Sequence, residues 1–241
     1  ENMLFYHMLT LYEKTFDQYG IGPSLVAQKN NLRKALLSHL KLNGLFKDHV
    51  TSTSYHQGIQ AYGLVLNLFE SDEVKLVIEY MKSKGFDASI ILGRQVIRAY
   101  LMHQALDEAM RYLFEYEKGW GHIINLKQLT MWEGFDDIES HSHAWGLYPV
   151  RLIQEYILGI QIETSIKNTY IISPQPVDTF KHLDGQIVTE QGPLKVSYFM
   201  HDDDIDFEVN VPNGIKATFR YGQTSILIHD HFQITLKKVK L

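Results

Sequence analysis

The sequence has no cysteine, no apolar run long enough to cross a bilayer and no surplus of basic residues. Without cysteine, disulfides, thiolate catalysis and cysteine-ligated zinc sites are excluded. A membrane-spanning helix needs roughly 18 to 20 consecutive apolar residues, so we expect no membrane partner. The formal net charge is −5, whereas nucleic-acid-binding domains usually carry a basic surplus, so we expect no nucleic acid partner either.

A signal peptide is also missing from the first residues, ENMLFYHMLT, which lack a basic start and a continuous apolar core. These residues have no initiator Met and begin directly in a helical pattern, as in a chain cut from a longer one. The subcellular compartment and the oligomeric state stay open. Apolar residues make up 45% of the 241 positions, enough to build one large domain or two unequal ones.

Apolar residues recur with the 3.6-residue period of a helix from Met3 to Ile160. The clearest stripe is formed by Tyr55, Ile59, Tyr62, Leu66 and Phe69. Further helices are predicted over residues 3–15, 24–40, 73–83, 95–106, 107–117 and 148–158, with a short one before the Met-Trp-Glu word at 131–133. Short loops with glycine or proline separate them, so we expect a series of antiparallel helical hairpins.

After Ile160 the apolar period changes to two, which is typical of β-strands with one buried face. Strands are predicted over residues 170–172, 194–200, 205–211, 215–221, 226–228 and 232–236, with turn sequences such as Pro212-Asn213-Gly214 between them. We expect a small antiparallel β-sandwich of about 80 residues. The predicted fold class is therefore multi-domain α+β, with a helical domain at residues 1–162 and the β-sandwich at 163–241.

The chemistry of the chain is concentrated in residues 126–160. This stretch holds, in order, the following ionisable side chains: Glu133, Asp136, Asp137, Glu139, His141 and His143. Glu133 follows an indole at the end of an apolar run, where a carboxylate can be partly desolvated and still face a cavity. Such a carboxylate suits general acid–base catalysis, with a solvated surface glutamate near a helix end as the alternative. We interpret the stretch as one wall of a carbohydrate-hydrolysing pocket.

Several short sequence motifs in and after this stretch occur in a recognisable order. They are TMWE at 130–133, SHSHAWG at 140–146, LIQEYILGI at 152–160, IISPQP at 171–176, DGQIVTEQGPLKVSY at 184–198 and VNVPNGIKATFRY at 209–221. In order and spacing they resemble the α-L-rhamnosidases of glycoside hydrolase family 78. The resemblance is firm from about Trp120 to Tyr221 and moderately specific.

This resemblance implies an all-helical toroid of the (α/α)6 type followed by a β-sandwich, and inverting hydrolysis of terminal α-L-rhamnosides without a cofactor. It implies that Glu133 is the general base and that the partner is a rhamnose-containing carbohydrate.

The sequence departs from the family's pattern in two ways. The segment between Glu133 and His143 is short, and the family's acidic motif with Arg and Trp is absent. The helices are also too few for a complete toroid, so we expect a C-terminal fragment whose general acid lies on an upstream segment.

Substrate-binding roles follow from the same resemblance and from side-chain chemistry. An imidazole both donates and accepts hydrogen bonds near neutral pH, which makes His143 a candidate for binding a sugar hydroxyl, with a histidine that only satisfies backbone groups at a helix start as the alternative. Trp120 and Trp132 are candidate stacking platforms, with ordinary core packing as the alternative. Asp136 is a candidate hydrogen-bonding partner for sugar hydroxyls, with a solvated acidic loop as the alternative. Tyr55, beside His56 and Gln60, is a weaker candidate at a helix start.

We expect no metal site. His141 and His143 offer two ligands where zinc needs at least three, and no third is evident. The acidic word HDDDID at 201–206 lacks the glycine and terminal glutamate of an EF-hand loop, so a hairpin turn explains it better.

Two alternatives remain to the rhamnosidase interpretation. In the first, the chain is a non-catalytic carbohydrate-binding or structural part of a glycosidase. In the second, it acts on another sugar, because small changes in a pocket can switch the substrate. A helical protein-interaction domain is disfavoured, because a β-sandwich after a toroid has no obvious role there.

Overall fold

A computed structural model describes residues 1–127, 130–136, 140–163 and 166–239. The chain divides into two compact units, Glu1–Gly146 and Leu147–Leu241. The first unit is mainly helical, and the second holds eight of the ten strands found in these ranges. The domain boundary at 162/163 expected from the sequence stays a prediction. No helix among the described residues combines the length and the apolar character that a bilayer crossing requires.

The described residues of the first unit form seven α-helices and one short hairpin. The helices are α1 (Asn2–Tyr19), α2 (Val26–Leu40), α3 (Gln57–Val65), α4 (Val74–Ser83), α5 (Ile90–Met102), α6 (Leu106–Phe114) and α7 (Trp120–Asn125). Strands β1 (Lys41–Leu42) and β2 (Leu45–Phe46) form the hairpin between α2 and α3. Helix α3 packs against α4 and α5, and α5 packs against α6. Helix α1 also packs against α2 and α6 against α7, whereas α3 packs on α5 across the intervening helix α4.

Helix α3 is shorter than its apolar stripe. It begins after His56, whose imidazole Nδ1 accepts a hydrogen bond from the Gly58 N–H at 3.2 Å. It ends at Val65 because Asn67 adopts a left-handed conformation with φ of 52°. Within α3, Gln60 is fully buried, and its amide accepts from the Phe46 N–H (2.8 Å) and donates to the Phe46 carbonyl (2.6 Å). This pair of bonds ties β2 to the helix.

The second unit begins with helix α8 (Tyr148–Leu152), which continues as a π-helical turn, Ile153–Ile157. Its strands are β3 (Ile160–Ile162), β4 (Thr169–Ile172), β5 (His182–Thr189), β6 (Gly192–Met200), β7 (Asp204–Asn210), β8 (Lys216–Tyr221), β9 (Thr224–Ile228) and β10 (His231–Lys237). They form two four-stranded sheets, one in the order β10-β7-β6-β5 and the other in the order β3-β4-β8-β9. The rings of Phe207 on β7 and Phe219 on β8 lie 5.3 Å apart, so the apolar faces of the two sheets meet.

Two features of these sheets differ from the expectation. The prediction of a wholly antiparallel arrangement is wrong, because β4 and β8 pair in parallel. A parallel pair needs a long connection, and strands β5 to β7 provide it. Strands β3 and β5 were not predicted, β5 because Asp184-Gly185 has the composition of a turn. In the structure Gly185 lies within the strand, opposite Val196 of β6.

Candidate active site

Two short segments, residues 130–133 and 140–143, lie side by side and hold each other through their backbones. The Glu133 N–H donates to the Ser140 carbonyl at 2.7 Å, and the His143 N–H donates to the Met131 carbonyl at 2.8 Å. The Thr130 hydroxyl donates to the His141 carbonyl. The direction in which the Glu133 side chain leaves the backbone is therefore fixed by its neighbours.

Two indole groups complete this support. The Trp145 Nε1–H donates to the Glu133 carbonyl at 2.7 Å, and the Trp120 Nε1–H donates to the Gly146 carbonyl at 2.8 Å. Gly146 is needed where it stands, because a Cβ there would lie 2.7 Å from the Trp132 carbonyl oxygen. The glycine lets the turn of Ala144–Leu147 approach the segment that carries Glu133.

Glu133 lies on the wall of an open cleft of about 470 Å³. The cleft is lined by three parts of the helical unit: residues 86–91, Lys118 with residues 133–136, and Trp145. A volume of this size is within the usual range for a small-molecule site. Glu133 and Trp145 are half-buried, whereas Asp136 and Asp87 are exposed. The cleft thus presents three carboxyl groups and three aromatic side chains, those of Phe86, Phe135 and Trp145.

The single lysine of the lining stands near one of these carboxyl groups. Lys118 Nζ lies 3.7 Å from Asp136 Oδ1, and both side chains are 71% exposed. A solvent-exposed pair of this kind contributes at most about 1 kcal/mol. Its effect is therefore to place one positive charge at the mouth of an otherwise acidic cleft.

His143 lies behind Trp145 rather than in the cleft lining. The two rings stack with their centroids 3.9 Å apart and their planes 30° from parallel. His143 is half-buried, and its Nδ1 lies 3.5 Å from the Trp145 backbone N–H. The stack fixes the orientation of the indole that donates to Glu133. The sugar-binding role of His143 stays a prediction.

Three other sequence candidates lie apart from the cleft lining. Trp132 is 2% exposed and stacks on His141 with centroids 4.2 Å apart. Trp120 is also 2% exposed and meets the Phe135 ring edge-on at 4.9 Å. Burial of both indoles favours the core-packing alternative.

Tyr55 lies elsewhere in the helical unit. Its carbonyl accepts a hydrogen bond from the Tyr80 hydroxyl at 2.7 Å, and the two rings meet at 6.4 Å. The acidic candidates Asp137 and Glu139 lie outside the described residues.

Asp87 lines the cleft although no sequence motif indicated it. Its N–H donates to the Gln57 Oε1 at 3.2 Å, and the Gln57 Nε2 donates to the Gly85 carbonyl at 2.7 Å. Gln57 is fully buried at the start of α3. One buried amide therefore holds the loop that carries Asp87 toward the cleft. A polar residue after a Gly-Phe pair carries no recognisable motif, so only tertiary structure finds it.

No group of three or more histidine or acidic side chains in the described part of the chain is placed to hold a metal ion.

The C-terminal part of the sequence matches a protein family. Residues 167–220 match the bacterial alpha-L-rhamnosidase C-terminal domain. The match agrees with the words at 171–221 from which the resemblance was inferred. No curated protein matches this chain.

Solved structures agree over almost the whole chain. α-L-Rhamnosidase from Dictyoglumus thermophilum superposes with a TM-score of 0.83 over 98% of this chain, at 15% identity. The chain has the fold of the α-L-rhamnosidases. The Streptomyces avermitilis α-L-rhamnosidase, solved with L-rhamnose, gives a TM-score of 0.80 over 98% of the chain at 16% identity. The Aspergillus terreus α-L-rhamnosidase gives 0.76 over 89% at 14% identity. The expected resemblance to α-L-rhamnosidases is confirmed.

The chain spans only 31%, 26% and 27% of the lengths of these three α-L-rhamnosidases. The shared fold is therefore that of a part of each. A putative kojibiose phosphorylase from the human microbiome shares the fold more distantly, with a TM-score of 0.58 at 9% identity over 95% of the chain.

Proposed function

We propose that this chain forms part of the active site of an inverting glycosidase that hydrolyses terminal α-L-rhamnosides, with Glu133 as the general base. The observation that carries the proposal is the position of Glu133. Its backbone is held from both sides by Ser140 and Trp145, and it lines an open cleft in a chain with the α-L-rhamnosidase fold.

The proposed reaction needs two carboxyl groups on opposite sides of the sugar. An inverting enzyme separates them by about 6.5 to 9.5 Å, so that a water molecule fits between the base and the anomeric carbon. Glu133 removes a proton from this water as its oxygen attacks the anomeric carbon. A carboxylic acid on the other side gives its proton to the leaving oxygen as the glycosidic bond breaks.

The general acid is assigned to neither Asp87 nor Asp136. A group that stays protonated near neutral pH is usually desolvated, as in an apolar pocket, whereas both of these side chains are exposed. They suit a different role, because a carboxylate in a cleft accepts hydrogen bonds from sugar hydroxyls. Trp145 offers the aromatic surface that the buried Trp120 and Trp132 do not, so the stacking role passes to it.

The proposal includes the architecture that the family resemblance implies. Helices α1 to α8 are then part of an (α/α)6 toroid with its boundary near residue 162, and the two four-stranded sheets are the β-sandwich that follows it. The meeting of Phe207 with Phe219 between the sheets supports the second part. Pairwise packing of consecutive helices supports the first.

The test is hydrolysis of an aryl α-L-rhamnoside by the intact protein, within a panel of aryl glycosides of other sugars. Release of the aryl group from the rhamnoside alone supports the proposal. A preference for another glycoside would show that the enzyme acts on that sugar instead of rhamnose. A folded protein that binds L-rhamnose without cleaving any glycoside is instead a non-catalytic carbohydrate-binding part. The 241-residue chain is assayed alongside, since activity of this chain alone would place the acid at one of its own carboxyl groups.

A further inference from the structure

The sheet formed by β10, β7, β6 and β5 has one face turned to solvent, and we call it the outer face. Side chains in register across the four strands form rows on it. One row consists of His182, Phe199, Asp206 and Thr235. The next row includes Ser197 and Glu208, which are directly opposite each other on β6 and β7. Alternate residues of β6 and β7 point the other way and are buried.

An aromatic ring stands in the middle of this polar face. Phe199 is 48% exposed. The His182 ring lies 6.1 Å from it on the neighbouring strand, and the His201 ring lies 4.9 Å from it at the strand end. A phenyl ring in such a position exposes apolar surface to water, which is unfavourable in the free protein. A ligand that covers the ring removes this exposure, and the change favours binding.

The polar groups around Phe199 are already held in place. Asp206 accepts hydrogen bonds from Thr235 at 2.6 Å and makes one with His201 at 2.7 Å. Asn210 donates to Glu208 at 3.1 Å and bonds His231 at 2.8 Å. These contacts hold the pKa of the Asp206 and Glu208 carboxyls below their usual values, so both are acceptors at neutral pH. Side chains that are fixed before binding lose little entropy when a ligand arrives.

Two adjoining depressions, of about 460 and 590 Å³, occupy the outer face and share Ser197 and Glu208. Each is large enough for one or more small rings. Hydroxyl, amide and carboxylate groups dominate their lining, so the face suits a ligand rich in hydroxyl groups. Three carboxylates, Asp184, Asp206 and Glu208, outnumber the one lysine of the lining, Lys195, so the face disfavours polyanions.

We propose that the outer face binds a neutral oligosaccharide, with one sugar ring packed on Phe199 and its hydroxyls hydrogen-bonded to Asp206 and Glu208. The apolar side of a sugar ring covers the phenyl ring, while carboxylates accept from sugar hydroxyls in fixed directions. This site is separate in the chain from Glu133 and performs no bond cleavage. It would hold a polymeric substrate or product while hydrolysis occurs elsewhere.

The test is affinity electrophoresis of the intact protein in native gels that contain arabinogalactan, xyloglucan or galactomannan, with polygalacturonate as the anionic comparison. At least one neutral polysaccharide is expected to retard the protein, and polygalacturonate is not. The change Phe199→Ala is expected to weaken retardation about tenfold, the loss of one aromatic contact. Glu208→Gln preserves the volume of the side chain and is expected to weaken it as well.

The matched control is Leu227→Ala, which removes a comparably exposed apolar side chain from β9 of the other sheet. It should leave retardation unchanged. A Glu133→Gln protein distinguishes this proposal from the proposed hydrolysis, since it should lose activity and keep its retardation. The proposal is overturned if no neutral polysaccharide retards the protein, or if Phe199→Ala leaves retardation intact. It is equally overturned if Phe199→Ala changes the sedimentation coefficient instead, which would make the face a contact between copies of the chain.

Discussion

Replacing Gly146 with alanine is expected to destabilise the helical unit and displace the segment that carries Glu133. The added Cβ would lie 2.7 Å from the Trp132 carbonyl oxygen and 2.8 Å from the Met131 Cβ. Neither atom is the free end of a flexible side chain, so the backbone of residues 131–132 has to move. The His143 N–H bond to the Met131 carbonyl lies on the same path and weakens with it.

The size of the effect follows from two opposing contributions. Overpacking of a filled interior costs about 1 to 3 kcal/mol. The alanine also restricts the unfolded chain, which returns about 0.4 to 1 kcal/mol. The net loss is therefore about 0 to 2.6 kcal/mol, or about 1.3 kcal/mol at the middle of both ranges; for a chain of this length that middle value lowers Tm by about 3 to 5 °C. The assay is thermal unfolding followed by far-ultraviolet circular dichroism at the helical minimum.

Gly93→Ala is the matched control, because it makes the same chemical change in the same unit. Its Cβ would lie 3.3 Å from the Trp120 ring and 3.5 Å from the Tyr112 hydroxyl, so little has to move. Gly93 is inside helix α5, where alanine is favoured over glycine by about 1 kcal/mol. This variant should be neutral or more stable. The reasoning is refuted if Gly146→Ala melts at the native temperature or if Gly93→Ala is the more damaged of the two.

Three further predictions concern the site and its support. Trp145→Phe removes the hydrogen bond from the indole to the Glu133 carbonyl while keeping an aromatic ring. It should lower kcat more than it changes KM, and it should lower the free energy of unfolding, measured in urea, by about 1 kcal/mol. An unchanged kcat would contradict this prediction. Gln60→Leu removes the side-chain partners of the N–H and carbonyl of Phe46 in the core. It should lower the free energy of unfolding by about 2 to 5 kcal/mol. A urea midpoint equal to the native one would contradict this prediction. Burial lowers the pKa of His103 below its usual value, so the unfolded chain binds the proton more readily. Stability should then fall as pH drops from about 6.5 toward the lowered pKa, and His103→Gln should flatten this slope between pH 7 and 5.

The local pattern of the sequence was sufficient for elements whose burial follows a regular period. Strand β6 spans Gly192–Met200, where alternation of apolar and polar residues predicted residues 194–200. Strand β5 was missed because its inward side chains are only half-buried and include Gly185. The alternation of apolar and polar residues along it is therefore weak. Between α5 and α6 the break falls at Gln104, whose φ of 58° is left-handed, rather than after Leu106 as predicted. Such a conformation is set by the surrounding packing and leaves little trace in composition.

Side-chain direction explains what the sequence missed at the site. The concentration of ionisable side chains assigned residues 126–160 to a pocket wall but did not say which of the side chains face solvent. Trp132 turns inward against His141, whereas Glu133 faces the cleft. Trp145 was not among the candidates named from the sequence, yet it lines the cleft and its indole N–H donates to the Glu133 carbonyl. Asp87 reaches the same cleft through a loop anchored by Gln57, a contact between residues far apart in sequence.

The most direct test of the central claim is the rate of aryl α-L-rhamnoside hydrolysis by the intact protein and by its Glu133→Gln variant, with the first-formed anomer identified by proton NMR. We predict that β-L-rhamnose appears first and that Glu133→Gln lowers kcat by about 10³-fold, the usual contribution of a general base. The variant should melt like the native protein. A Glu133→Gln protein that retains most of its activity, or α-L-rhamnose as the first product, would contradict the assignment of Glu133 as the base of an inverting reaction.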